Sequence, residues 1–232
     1  MPLNIAIDGP AGAGKSSIAK AAAKALGCIY VDTGALYRSV GLFALRGKID
    51  PADGEKVAEL LPKIDLKLAF VDGTQRVFLC DEDVSEEIRT PEASKASAQV
   101  SSQPAVREFL LALQRSLAAE NDVVMDGRDI GTVILPKAQL KVFLTAAPEE
   151  RARRRWLELA EKEPDTRFED VLAAVIERDD KDMKRLIAPL KPADDGVILD
   201  TTGLNFQQSL DRLLELVQTR SEDTEVRRAE SE

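Results

Sequence analysis

The sequence predicts an α/β fold: a five-stranded parallel sheet flanked by helices, carrying an inserted α+β subdomain and a short helical lid. Three observations predict it. A glycine-rich stretch, Gly9-Pro10-Ala11-Gly12-Ala13-Gly14-Lys15-Ser16, lies between a short apolar run and an Ala- and Lys-rich segment. The first 46 residues read strand, helix, strand, helix, the order of a parallel sheet with crossover helices. A stretch of different periodicity, about 50–119, then intervenes before the alternation resumes.

Leu3-Asn4-Ile5-Ala6-Ile7 reads as a buried strand. Gly9 to Ser16 then fits G-x-x-x-x-G-K-[ST], the phosphate-binding P-loop. Its glycines let the backbone fold into a nest whose N–H groups, with the next helix N-terminus, bind an anion. Lys15 is placed to neutralise β/γ-phosphate charge, its side chain expected in an open cleft. The Ser16 hydroxyl is placed to hold Mg²⁺. A helix over 16–26 follows, with Gly27 at its C-terminal end. Residues 28–31 read as the second strand, and Thr33 is the expected cap of a helix over 35–46. Residues 64–70 and 76–80 alternate apolar and polar, which predicts a hairpin turning near Asp72-Gly73. Helices are expected over 91–100 and 104–119. Core strands follow at 123–125, 140–144 and 197–199. Helices at 148–161 and 168–187, with a loop around Pro164 between them, and at 206–217 complete the set. The polar stretch 219–232 is expected to be disordered.

Composition excludes several classes. The 232 residues allow one α/β domain with an insertion, or two small domains, and 44% hydrophobic content supplies a core. The net charge of −9 argues against non-specific nucleic-acid binding, leaving room for a local basic pocket. There is no histidine, so imidazole acid/base chemistry and His metal sites are excluded. Cys28 and Cys80 form no C-x-x-C pair, so neither a zinc site nor a redox motif is read. With no apolar run of membrane-spanning length and no signal-peptide pattern at the N-terminus, the expectation is a cytoplasmic monomer with no membrane or nucleic-acid partner.

Three further clusters carry candidate chemistry. Asp126-Gly127-Arg128-Asp129 follows the third strand, where a Walker-B carboxylate meets the metal shell and where open α/β sheets bind ligands. Asp32 belongs to the same layer, and the alternative for this cluster is a polar turn with a local ion pair. Arg151, Arg153, Arg154 and Arg155 follow the fourth strand, with 151, 154 and 155 on one helix face. Three cations on one face call for an anion such as a triphosphate. The alternative is a solvated face relieved by Glu149, Glu150 and Glu158. Arg178, Asp182 and Arg185 form one helical stripe, either a site or an i,i+4 salt-bridge ladder.

Together the segments IDGPAGAGKSS, DTGALYR, DVSEEIRT, MDGRDIGT and ERDDKDMKRLIAPL resemble bacterial cytidylate kinases, P-loop nucleoside monophosphate kinases. The resemblance runs from Ile7 to about Leu190, in the family's order and spacing. It implies a core at 1–49, 120–147 and 168–218, a nucleoside-monophosphate-binding insertion at 50–119 and a lid at 148–167. It implies ATP phosphates on Gly9, Pro10, Ala11, Gly12, Ala13, Gly14, Lys15, Ser16 and Ser17. Thr33, Arg38 and Arg128 then hold the acceptor phosphate, Arg107, Asp129 and Arg185 the cytosine, and Arg178 and Asp182 the sugar. Arginines of the 151–155 run are the implied lid residues, and Lys15, Asp126, Arg128 and Arg154 the implied catalytic set. Where the family pattern has a base-reading Ser, this chain has Ala98, with Ser97, Ser101 and Ser102 nearby.

The implied reaction is ATP + (d)CMP → ADP + (d)CDP, assisted by Mg²⁺. A phosphate monoester, with a second pKa of about 6, attacks already ionised, so no base is needed. A kinase with a hydroxyl acceptor would instead want Asp32 or Asp126 as base. A GTPase-type switch would want N-K-x-D, which is absent.

Overall fold

The computed structural model describes residues 2–71, 74–161, 163 and 165–229, the last nine as backbone only. Its strands are β1 (Asn4–Asp8), β2 (Ile29–Asp32), β3 (Leu66–Val71), β4 (Thr74–Leu79), β5 (Glu82–Asp83), β6 (Val123–Gly127), β7 (Leu140–Thr145) and β8 (Val197–Asp200). Five of them form one sheet in the order β2-β6-β1-β7-β8, all parallel. The register sets Asp8 opposite Gly127 and Asp32 opposite Asp126. The glycine-rich loop and the D-G-R-D segment therefore leave the same carboxyl edge side by side. Chain order reverses at β1, with β6 on one side and β7 on the other, and ligands of open α/β sheets bind at such a point.

The core strands are continuous apolar runs because both faces are covered. On one face, α1 (Lys15–Leu26) and α8 (Phe206–Ala229) pack Ile18, Ala22, Leu210 and Leu213 onto Ile5, Ile7 and Leu144. On the other, Ala118 of α5 (Pro104–Glu120) packs with Val31, Met125 and Ile130. A second core joins α2 (Thr33–Arg46), α3 (Gly54–Leu60) and the β3–β4 hairpin, with Leu36, Leu79, Ile88 and Leu110 buried in it. α4 (Pro91–Val100), α6 (Pro148–Ala160) and α7 (Phe168–Lys184) complete the helices. No described helix is long and apolar enough to cross a membrane.

Several elements differ from expectation for local reasons. Asp32, not Thr33, caps α2: its carboxylate accepts from Ala35 N at 3.0 Å. Asp32 holds the extended backbone an N-cap requires, with φ −81° and ψ 97°, whereas Thr33 is already helical. The hairpin pairs Leu66 with Leu79 through Val71 with Thr74, and the expected turn at 72–73 lies outside the described residues. The short strand β5 and α3 went unread. The β4–β5 turn places Cys80 at φ 50° and Asp81 at φ 65°, a backbone normally announced by Gly or Asn. α7 ends at Lys184, three residues before the expected 187, because Arg185 turns extended at ψ 140°. Of the loop expected around Pro164, that proline is outside the described residues. α8 runs on to Ala229 where disorder was expected, and 230–232 are undescribed. A polar segment has no core to join. It does propagate a helix already nucleated by packing, and 218–229 holds neither Gly nor Pro.

Candidate active site

The strand–loop–helix passage places the phosphate nest. Gly9 has φ 148°, and a Cβ there would lie 2.0 Å from Leu144 O, so β7 packs flush against the loop. Gly14 caps α1 at φ 86°, which a side chain would strain. Lys15 is buried, not exposed in an open cleft: it is 6% accessible and donates to Pro10 O at 2.6 Å. Burial and the Arg128 guanidinium push its ammonium well below the usual lysine range, against the pull of Asp126 and Asp8.

Asp126 is the hub beneath the nest. Its Oδ2 accepts from Ser16 Oγ at 2.9 Å, its Oδ1 from Tyr30 OH at 2.9 Å, and its carbonyl from Thr33 Oγ1 at 2.8 Å. Burial and Asp32 raise its carboxyl, opposed by Lys15 and the two hydroxyls. A Ser hydroxyl beside a carboxylate is an all-oxygen donor pair, which fits a hard cation. Among the described residues no cluster of three or more His, Cys, Asp or Glu forms an all-protein metal cage.

Cations converge beside it. Arg178 lies in the field of Arg128, Arg155 and Arg38, as Lys15 lies in that of Arg128 and Arg178. Arg38 donates to Asp32 Oδ2 at 2.7 Å, leaving its buried Nε unpartnered. Asp182 accepts from Arg128 Nε at 2.9 Å, not from its stripe neighbour Arg178. Arg185, beyond the end of α7, has left the stripe.

One turn away sits a second buried group. Asp129 is 4% accessible and pairs with Arg107 of α5 through Oδ2, while Arg185 Nη2 stands 3.6 Å from Oδ1 without a hydrogen-bond partner. Burial pushes the Asp129 carboxyl up, and Arg107 and Arg185 pull it down. The Arg107 guanidinium lies 5.9 Å over the Tyr37 ring, a cation–π contact that fixes it. The hydroxyls of Ser101 and Ser102 are turned back to Ala98 O and Gln99 O, so of the three serines near Ala98 only Ser97 lacks such a bond.

The arginine run divides by partner. Arg151 is not a mobile cation: it is 3% accessible, pairs doubly with Asp179 at 3.0 and 2.5 Å, and donates to Ala11 O and Ala146 O. It rivets α6 to the nest and to α7. Arg154 reaches Ala13 O and Glu150, and Arg155 pairs with Glu158, so Glu150 and Glu158 relieve part of this run while Arg151 is buried against Asp179. Asp179→Ala would strand the Arg151 charge, and we expect a loss of about 3–5 kcal/mol in denaturant unfolding. A loss under about 1 kcal/mol, the scale of an exposed pair, would contradict this burial.

Sequence reasoning missed Asp8, Gln75, Lys20 and Arg89. A cavity of about 400 Å³ opens between α1 and the hairpin, lined by Ser16, Lys20, Asp32, Arg38, Gln75 and Arg89. Gln75 Oε1 accepts from Asp32 N at 2.9 Å and so steadies the α2 cap from 43 residues away. No local pattern marks such a residue.

The family model for cytidylate kinase matches residues 5–219. Cytidylate kinase of Caldicellulosiruptor bescii is 50% identical over 92% of this chain and 95% of its own length. Cytidylate kinase of Desulfitobacterium hafniense is 48% identical over 97% of each. Among solved structures, an uncharacterised protein from Eubacterium ventriosum shares the fold, with a TM-score of 0.53, 11% identity and coverage of 93% of this chain and 98% of that one. A family model spanning nearly the whole sequence, with relatives near half identical over more than nine-tenths of it, means that this chain belongs to the cytidylate kinase family.

Proposed function

We propose that the protein transfers the γ-phosphoryl group of ATP to CMP and dCMP. One observation carries the reading: the nest with Lys15 shares a sheet edge with converging arginines and, beyond them, with the buried Arg107–Asp129–Arg185 group. That order matches donor phosphates, acceptor phosphate and base. The first two matches need positive charge, and the third needs a carboxylate between guanidinium groups.

The acceptor phosphate is ionised near neutral pH, and one of its oxygens attacks the γ-phosphorus in line. The new P–O bond forms as the bond to the β,γ-bridging oxygen breaks, and ADP leaves with the electron pair. Lys15, Arg128 and Arg38 neutralise charge that spreads over the transferring group. Ser16 and Asp126 would hold Mg²⁺, which would supply further neutralisation of phosphate charge. Segments 50–119 and 148–167 serve as acceptor module and lid, with Arg151 the lid's fixed root on the nest at Ala11 O and Arg154 reaching the nest at Ala13 O. A hydroxyl acceptor is disfavoured because neither candidate base is free. Asp32 is engaged by Arg38 and Ala35 N, and Asp126 by Ser16 and Tyr30.

The test is ADP release with a panel of nucleoside monophosphates and, separately, small hydroxyl-bearing acceptors. CMP is the expected best acceptor, and a hydroxyl compound outrunning every monophosphate would overturn the reading. Asp182 is proposed to accept from the sugar 3′-hydroxyl, oriented by Arg128. On that contact dCMP should remain a good substrate. A dCMP kcat/KM lower than that of CMP by more than about 10³, the scale for a site built around the missing hydroxyl, would exclude it.

A further inference from the structure

We propose that Asp8 is a positioning residue that locks the phosphate-donor loop and the acceptor-side turn into one rigid frame. Asp8 is the last residue of β1, and Gly9 opens the nest directly after it. Its side chain crosses to the neighbouring segment, where Oδ1 accepts from Ile130 N at 2.6 Å and Oδ2 from Gly131 N at 2.7 Å. These amides open a wide helical turn, Ile130–Ile134, closed by i→i−5 bonds such as Leu135 N to Ile130 O at 2.6 Å. First-turn amides have no partner within their own turn, so an outside acceptor holds them. Asp129, immediately before the turn, is the residue that meets Arg107 and Arg185.

The path from donor to acceptor is thus short: nest, Asp8, turn, Asp129. The far end of the same turn is held too, where Arg115 of α5 donates to Ile134 O and Val133 O at 3.0 Å each. Helix α5 also carries Arg107. Asp8 is 4% accessible, and burial raises its carboxyl to about 6 despite the two amides. A buried side chain that accepts from two amides fixes their positions in a way that apolar packing does not.

The proposal rests on the reading of Asp129 as part of the acceptor subsite. Asp8→Asn keeps the shape but turns an NH₂ toward one of the two amides. The expected signature is a split: kcat falls at least about 10-fold while KM for ATP and for CMP each move less than about 3-fold, since in-line alignment is more sensitive to small displacements than either binding event. An analogue joining adenosine and cytidine through five phosphates, which needs both subsites in register, should lose at least about 10-fold in affinity by the same argument. A residue that merely capped the turn would lower thermal stability and leave kcat intact, or weaken all three ligands alike, and either result overturns the proposal. Should Asp8→Asn fail to fold, Gly131→Ala perturbs the same contact, because its Cβ would stand 3.3 Å from Asp8 Oδ2, with Lys141 Cγ at 3.2 Å as a neighbour that must also give. If the parent itself fails to prefer CMP, the substrate reading has failed, and the kcat–KM split is measured with whichever monophosphate it accepts.

Discussion

Lys15→Ala is expected to lower kcat by at least about 10², the scale for losing one electrostatic stabiliser of developing charge. The structure sharpens the expectation for stability. The Lys15 ammonium is buried beside Arg128 and Arg178, and the burial and repulsion that depress its pKa act against the charged form in the free protein. Removing the side chain should therefore leave the melting temperature unchanged or raise it, as is common where a site keeps a group for function at the expense of stability. Steady-state rates at saturating ATP and CMP, with a thermal melt of the free protein, check both halves. A variant with near-normal kcat would remove the nest from the mechanism. One that melts far lower would mean that the bond to Pro10 O outweighs the repulsion.

Base selection is the second large effect. Cytosine offers an amino donor at its 4-position and acceptors at N3 and O2, whereas uracil reverses the first two. Asp129 Oδ1 and Arg185 Nη2, 3.6 Å apart and not hydrogen-bonded, are a separated acceptor and donor of the kind cytosine needs. UMP would set its O4 against the carboxylate and its N3–H against a guanidinium, so we expect it to be rejected by repelling groups and not by size. Each good bidentate reading is worth roughly 1–3 kcal/mol, so CMP should be preferred by at least about 10²-fold. Asp129→Ala should cut CMP kcat/KM sharply and narrow the gap to UMP. Equal rates with CMP and UMP in the parent, or an unchanged ratio in the variant, would remove Asp129 from base reading. Ala98, where the resemblance implies a Ser, is expected to trim the margin without reversing it, since the carboxylate–guanidinium pattern stays.

Much of the site is legible in the sequence where a few consecutive residues suffice. Gly9 to Ser16 specify the nest because covalent spacing alone sets its geometry, and the apolar runs at both ends of the core declare a sheet buried on two faces. Asp126-Gly127-Arg128-Asp129 is placed by the same logic, since a strand's carboxyl end points at the ligand layer. The partners of the charged groups were settled by tertiary structure. Arg151 and Asp179 are 28 residues apart, and Arg128 and Asp182 are 54 apart. Helical periodicity instead offered Arg178 as the partner of Asp182, and a triphosphate as the partner of Arg151. A charge pairs with whatever opposite charge packing brings within about 4 Å under a low dielectric, and local spacing carries no record of that choice. Asp8, which sequence reasoning missed, shows the same division: chain order puts it directly before Gly9, and only the parallel register of β1 with β6 brings the amides of Ile130 and Gly131 within its reach.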